Sequence, residues 1–307
     1  MRPAVLYILF GNVVGGLSYF WMKRASEGLP PFTIAFLRSA IGAACLGIWL
    51  ASRPGPRWPF GRAELRTLLL TGTLAYAAPL ALGVIGTDLS TSANGSILIL
   101  LEPVSIVAFA YLLLRERVGA LRGAGLAIGL GGAALVTTEG AGGGADLLAG
   151  EHLLGNCILA THGVLWGLYT PLLAPVARRH AAGPVTFAVL AVASAALLPP
   201  ALLESGQWSA GPRLGQAIAY SVLMGVGITF LGTLAWNLAL RDLPAGVIAP
   251  FVFLQPAVGV VAGRFWLGER VSPGAAVGGA LVAAGVAMVL FGERRRPDGA
   301  APSGTGA

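Results

Sequence analysis

Apolar residues run along this chain in blocks of about 20, long enough for a helix to cross the roughly 30 Å hydrocarbon core of a bilayer. Ten blocks can be counted, at approximately 4–22, 31–51, 65–86, 91–114, 119–138, 152–174, 183–203, 214–240, 246–267 and 273–292. Turn and breaker residues punctuate them: Gly28-Leu29-Pro30-Pro31, Arg53-Pro54-Gly55-Pro56 and the stretch from Gly140 to Gly144. The first block follows a single Arg2 and ends in Tyr-Phe-Trp-Met-Lys without a small-residue cleavage site. It reads as a retained helix rather than a removed signal peptide. After Phe291, the run Glu293-Arg294-Arg295-Arg296 and its Pro, Gly, Ala and Ser continuation lack apolar periodicity and read as a disordered tail.

A second pattern lies over the first. Leu101-Glu102-Pro103-Val104 is followed by Arg115-Glu116-Arg117-Val118; Leu254-Gln255-Pro256-Ala257 is followed by Gly268-Glu269-Arg270-Val271, displaced by a constant 153 residues. From Leu101 to Val136, twelve of thirty-six positions are identical at that offset, Gly125 falling on Gly278 and Gly132 on Gly285. Shared hydrophobicity would match Leu and Ala but would not place Pro and Glu in register. A repeat at half the chain length, each copy with an interrupted apolar segment, is the mark of a secondary transporter.

Composition narrows the class. Hydrophobic residues make up 56% of the 307, charged residues 11%, and mean hydropathy is +0.78. Soluble domains carry about 25% charged residues, so lipid must be the solvent for most of this surface. The net charge of +7 and pI near 10.1 suggest nucleic acid at first sight. The arginines, however, sit in short clusters between apolar blocks, with no basic domain to hold a duplex. Placing the N-terminus inside puts fourteen Lys and Arg residues on the cytoplasmic side and five outside, with Arg38 inside a helix. That bias predicts both termini in the cytoplasm. Five helices per copy then force the copies to sit inverted, with a substrate site near the midplane. Cys45 and Cys157 each lie in an apolar block and offer no metal spacing or disulfide framework.

These residues carry a resemblance. Ala239-Leu240-Arg241 through Leu254-Gln255-Pro256, then Leu267-Gly268-Glu269-Arg270, Gly278 and Gly285, with Glu102-Pro103, Arg115-Glu116-Arg117, Gly125 and Gly132 in the first copy, resemble the EamA family of the drug/metabolite transporter superfamily. The resemblance covers about residues 4–292. It implies an all-α membrane protein of ten transmembrane helices in two inverted five-helix repeats, at 1–138 and 152–292. A Gly-rich linker at 139–151 joins them, and 293–307 is the basic tail. It further implies a multi-pass protein of the cell membrane that moves a small-molecule solute, often exporting amino acids or related compounds, without a cofactor. The copies differ where Glu102 faces Gln255 and where Arg38 faces Ala191, which leaves open which half carries a coupling ion.

Candidate functional residues follow from position. Pro103 and Pro256 have no N–H, so the carbonyls of Ile99 and Val252 lose their usual helical partners. The pair is expected to hinge the fourth and ninth helices and to offer carbonyl oxygens to a cavity, or else merely to shape packing. Pro79, matched to Gly232, suggests a second symmetric weak point. Glu102 is the one carboxylate deep in a block, where an acid is a functional candidate by default. It would bind a coupling proton or a substrate ammonium, or make a structural hydrogen bond to Asn94, Ser96 or Ser105. Arg38 either snorkels to the outer interface or serves as counter-ion to a substrate carboxylate or to Glu102; the resemblance places an arginine here in many family members.

Tyr76, Trp166, Tyr169, Trp236 and Asn237 fall away from the block ends and could line a cavity, against the plainer role of helix packing. Trp21, Trp49, Trp58 and Trp208 sit at block ends as interfacial anchors. His162 fits an interhelical hydrogen bond better than a proton relay. Glu116 and Glu269 adjoin Arg117 and Arg270, and read as local ion pairs or caps at the membrane surface. An integral membrane enzyme would need clustered acids, a metal set or a nucleophile with a base, and none appears in the sequence. A passive channel more often shows a ring of pore residues made by oligomer symmetry. A secondary transporter is the expectation, with a proton as candidate coupling ion.

Overall fold

The structure is a computed structural model that describes residues 2–53, 59–90, 94–95, 98–140, 150–208, 211–258, 261 and 273–294. Among them no strand occurs. The chain forms α1 (Arg2–Gly16), α2 (Ser18–Ser26), α3 (Pro31–Ala51), α4 (Arg62–Asp88), α5 (Leu101–Leu114) and α6 (Ala120–Gly140). Its second half forms α7 (Leu153–Ala177), α8 (Ala182–Leu203), α9 (Pro212–Asp242), α10 (Ala245–Val258) and α11 (Pro273–Arg294).

Proline opens α3, α9 and α11, where its fixed φ suits the first turn and its missing N–H deprives no carbonyl. Gly211, at φ +80°, supplies the left-handed turn before α9. Polar residues inside the apolar helices mostly satisfy themselves locally. Ser39, Thr87, Thr137, Thr186 and Ser221 each donate a hydroxyl to the carbonyl four residues back, so these five hydroxyls are satisfied within their own helices. Large apolar side chains face outward, Leu203 at 85% exposure and Leu112 at 67%.

Among the described residues, seven helices are long and apolar enough to cross a membrane. Three of the ten predicted blocks give shorter helices among the described residues. The first is broken at Leu17 between α1 and α2. In the fourth, α5 starts only at Leu101, so Pro103 stands in the first turn rather than in mid-helix. There proline costs little, and the Ile99 carbonyl accepts the Glu102 N–H at 2.9 Å. The expected unpaired carbonyl at Ile99 is therefore corrected. The ninth block is helical to Val258, with Pro256 just beyond a 3₁₀ stretch, Ala249–Phe253. Glu293 and Arg294, read as the start of the tail, continue α11, and Glu293 pairs with Arg122 at the start of α6. The remaining tail, Trp58, Ser96, Glu269 and Arg270 lie outside the described residues.

Helices of the first half pack on helices of the second: α3 on α8, α5 and α4 on α7, α1 and α2 on α9, and α6 on α11. The last contact is reciprocal. A Cβ on Gly125 would lie 2.7 Å from the Gly285 carbonyl, and one on Gly285 would lie 2.5 Å from that of Gly125. Gly132 and Gly278 meet the same way, at 2.7 and 2.6 Å. As residue numbers rise along α6 they fall along α11, so the two run antiparallel, with backbones at a separation only glycine allows.

Carboxylates then stitch helix ends across the halves. Glu204 accepts the N–H groups of Phe32 and Thr33, at 3.2 and 2.7 Å, capping α3. Glu116 accepts the Gly246 N–H at the start of α10 and pairs with Arg178, at 3.2 and 3.1 Å. Of the two readings from the sequence, a local ion pair with Arg117 or a cap, the cap is found, and the ion pair comes from the other half instead. His180 in turn contacts Glu64 at 2.7 Å.

Candidate functional site

The longest helices are also the irregular ones. In α4 the stretch Thr73–Ala77 is π-helical, Ala78 N–H reaching back five residues to Thr73, just before Pro79. In α9 the stretch Met224–Gly232 is π-helical. Carried forward by the 153-residue offset, 73–77 falls on 226–230, inside the second stretch. The matched Pro79 and Gly232 thus flank matched irregularities. A π turn widens the helix and turns side chains that a regular helix would hold elsewhere.

Those segments border a central cavity of about 140 Å³. Its lining brings together Arg38 of α3, Tyr76, Leu80 and Gly83 of α4, Ile99 and Glu102, and His162, Trp166, Tyr169 and Thr170 of α7. Gly232, Thr233 and Trp236 of α9, Gln255 of α10, and Gly11, Gly15, Ser18, Met22 and Ile228 complete it. Arg38, Tyr76, Glu102, Trp166, Tyr169, Trp236 and Gln255, singled out from the sequence, therefore meet in one place. Asn94 and Asn237 do not line it. Asn94 bonds to Ser90 and Asn156, and Asn237 lies behind Tyr169, fully buried.

Arg38 is 6% exposed and its Nε–H donates to Thr229 Oγ1 at 3.2 Å. It is held within the protein, which replaces the snorkelling alternative. Thr229 is the residue matched to Tyr76 by the repeat. Glu102 has no hydrogen-bond partner for its carboxylate among the described residues, so the bonds weighed to Asn94 and Ser105 are not made. Its backbone is held instead by two glycines of α7: a Cβ on Gly167 would sit 2.9 Å from the Glu102 carbonyl, and one on Gly163 would sit 3.6 Å from its N–H nitrogen.

Aromatic rings form one wall. Tyr76 and Trp166 meet edge-on with centroids 5.1 Å apart, Tyr169 lies 5.7 Å from Tyr76, and His162 lies 6.3 Å from Trp166. Such edge-to-face geometry sets the positive edge of one ring against the negative face of the next. Four polar tips around the cavity are engaged. Tyr76 shares a hydrogen bond with Thr233 at 3.0 Å, Trp236 donates to Thr170 at 3.0 Å, and His162 donates Nδ1–H to the Pro79 carbonyl at 2.6 Å. Tyr169 donates to Asn237 at 3.0 Å; Asn237 donates to Thr186 at 2.9 Å. Behind this wall, Tyr76 and Tyr169 join a cluster with Leu173, Leu240, Val247, Ile248 and Phe251, which fills the space toward the α7–α8 turn. Ring surface and the side chains of Arg38, Glu102 and Gln255 line the cavity.

Sequence reasoning missed Thr170, Thr229, Thr233 and Asn12. Threonine is common in apolar helices, and nothing in its spacing shows which one turns inward. Asn12 alone left a signal, as an amide in the middle of an apolar block.

The EamA-like transporter family matches this chain over residues 2–138 and 153–291. A probable terminal-alkyne amino-acid exporter of Streptantibioticus cattleyicolor is 30% identical over 301 residues, covering 95% of this chain and 90% of that protein. An uncharacterized transporter of Archaeoglobus fulgidus is 25% identical over 275 residues, covering 88% and 91%. A solved crystal structure superposes with a TM-score of 0.80 at 20% identity, covering 96% of this chain and 99% of that one.

Proposed function

We propose, from the premise that this chain belongs to the EamA-like transporter family, that it is a secondary carrier exporting amino acids or closely related small compounds. One observation carries the reading: a single cavity holds one fixed cation, Arg38, and one carboxylate, Glu102, beside an aromatic wall. A zwitterion with a compact apolar side chain complements all three. Arg38 receives the solute carboxylate in a charge-assisted contact, Glu102 the ammonium or a coupling proton, and Trp166 and Tyr76 the side chain. The cavity volume of about 140 Å³ is close to the ~150 Å³ apolar cavity that accepts benzene, which favours small solutes. The similarity to a protein named as an amino-acid exporter supports the class.

Alternating access is the mechanism proposed. Reciprocal antiparallel packing of α6 and α11 supports reading the halves as inverted copies of five crossings each, ten in all. The matched π stretches beside Pro79 and Gly232 are the proposed flexing points, with Pro103 and Pro256 marking helix discontinuities at the cavity. The arginine distribution supports both termini in the cytoplasm of a cell membrane.

The test is flux. In inside-out vesicles or cells overproducing the protein, a panel of amino acids and analogues should reveal accumulation against a gradient driven by an imposed pH or ion difference. Equilibration without accumulation would support a channel instead, and chemical conversion of the solute an enzyme.

A further inference from the structure

Asn12 is fully buried in α1, and both ends of its amide are engaged. Its Nδ2 donates to the Ile8 carbonyl at 2.8 Å, and its Oδ1 accepts from Gln255 Nε2 at 3.0 Å. A backbone carbonyl can only accept, so the first bond fixes which end of the Asn12 amide is nitrogen. That leaves an acceptor facing Gln255, which fixes the Gln255 amide with its nitrogen toward Asn12. Turning Gln255 over would set two oxygens against each other. Gln255 lines the cavity, and its Oε1 has no partner among the described residues. The side chain that lines the cavity thus keeps an oxygen that no described residue engages.

Glu102, at the matched position of the first copy, brings its carboxylate to the same cavity. The difference between the two is built into the helices that hold them. A Cβ on Gly16 would lie 2.8 Å from the Gln255 carbonyl, just as one on Gly167 would lie 2.9 Å from the Glu102 carbonyl. Asn12 stands four residues before Gly16, where the corresponding position before Gly167 is Gly163. Among the described residues, only the second copy's side chain is tethered.

We infer that Asn12 is a positioning residue that holds Gln255 as an acceptor, so that Gln255 and Glu102 together receive the protonated amine of the solute; this rests on the amino-acid reading above. An ammonium has three N–H donors and no acceptor. It gains from a fixed oxygen and is repelled by the N–H₂ that a rotating glutamine would offer. A hydroxyl in the same place, being both donor and acceptor, accepts either face. Arg38, the cation that faces the same cavity, is left to the carboxylate.

The experiment compares, in proteoliposomes, transport of the amino acid moved best by wild type with that of its α-hydroxy acid; L-leucine and L-leucic acid are the pair to begin with. Wild type should prefer the amino acid. Asn12→Leu should lower that preference about tenfold, the scale of one charge-assisted hydrogen bond, by slowing the amino acid and sparing the hydroxy acid. Adding Asn12→Leu to Gln255→Leu should lower it no further than Gln255→Leu alone. A drop in both rates with the preference intact marks a merely structural role and overturns the inference. If Asn12→Leu does not fold, Gln255→Leu carries the test, and an unchanged preference there overturns it equally. Wild type that moves no amino acid in the panel overturns the amino-acid reading itself, and this inference with it.

Discussion

Glu102 and Gln255 occupy matched positions of the two copies and line one cavity, yet the Gln255 amide is tied at 3.0 Å to Asn12 while the Glu102 carboxylate has no hydrogen-bond partner among the described residues. An acid deep in an apolar helix is costly unless a partner, ligand or proton engages it. Glu102→Gln should fold, since a glutamine is accommodated at the matched site. Its transport should fall about tenfold or more, and the pH dependence of flux should flatten. Vesicle flux measured across a pH series decides; an unaltered rate and profile would remove Glu102 from coupling and from amine recognition alike.

Arg38 is the cation of the cavity, and Thr229 steadies it through Nε. Replacing it with Leu should cost a carboxylate-bearing solute about tenfold in transport, the size of a charge-assisted contact. The corresponding decarboxylated amine should lose less. Competition between the two for the same carrier reads the difference, and equal losses would rule out a carboxylate partner.

The chain Tyr169 to Asn237 to Thr186 joins α7, α9 and α8 behind the cavity wall. Asn237→Leu strands the Tyr169 hydroxyl in a buried place and should cost about 1–3 kcal/mol of stability. Tyr169→Phe should cost about 1 kcal/mol, and the double variant clearly less than the sum. Thermal unfolding in detergent measures all three, with additivity the outcome that would dissolve the chain as a unit.

Gly125 and Gly278 are equivalent both in the repeat and in the contact they make, each facing a backbone carbonyl of the opposite helix. Alanine at either should force α6 and α11 apart at a cost of about 1–3 kcal/mol. The two losses should agree within about 0.5 kcal/mol, the level to which independent effects are separable. A loss at one and not the other, by the same unfolding assay, would break the proposed two-fold relation.

Glu204 caps α3 from the end of α8. Glu204→Ala should lower stability by about 1–2 kcal/mol, as expected for a lost N-terminal cap. Because the bond spans the two halves, the variant should also expose the Phe32–Thr33 amides to faster hydrogen exchange, a local readout that distinguishes it from general destabilisation.

How much of this was legible beforehand depends on the range of the interaction concerned. Pro31–Ala51 coincides with its predicted block, and Ala182–Leu203 and Pro273–Arg294 differ by one or two residues at their ends. Solvent decides such helices: in lipid every backbone group must be satisfied within its own segment, so a long apolar run is enough to announce one. The repeat was equally plain, because Pro and Glu in register do not arise from hydrophobicity. Seven of the nine substrate candidates reached the cavity, since a polar or aromatic residue deep in an apolar block must turn toward protein.

The failures were those of partnership. Pro103 was expected to break a helix that in fact begins beside it, and for Glu116 the cap reading holds at Gly246 while the ion-pair reading named a neighbour where the partner is Arg178. Asn94 and Asn237 face other polar side chains rather than the cavity. Asn12 and Gln255 are 243 residues apart in sequence. The sequence by itself determined the solvent of each helix and the two-fold pattern of the whole. Only the tertiary structure decided which polar groups meet, because a hydrogen bond depends on ångström distances between helices that hydrophobicity leaves undefined.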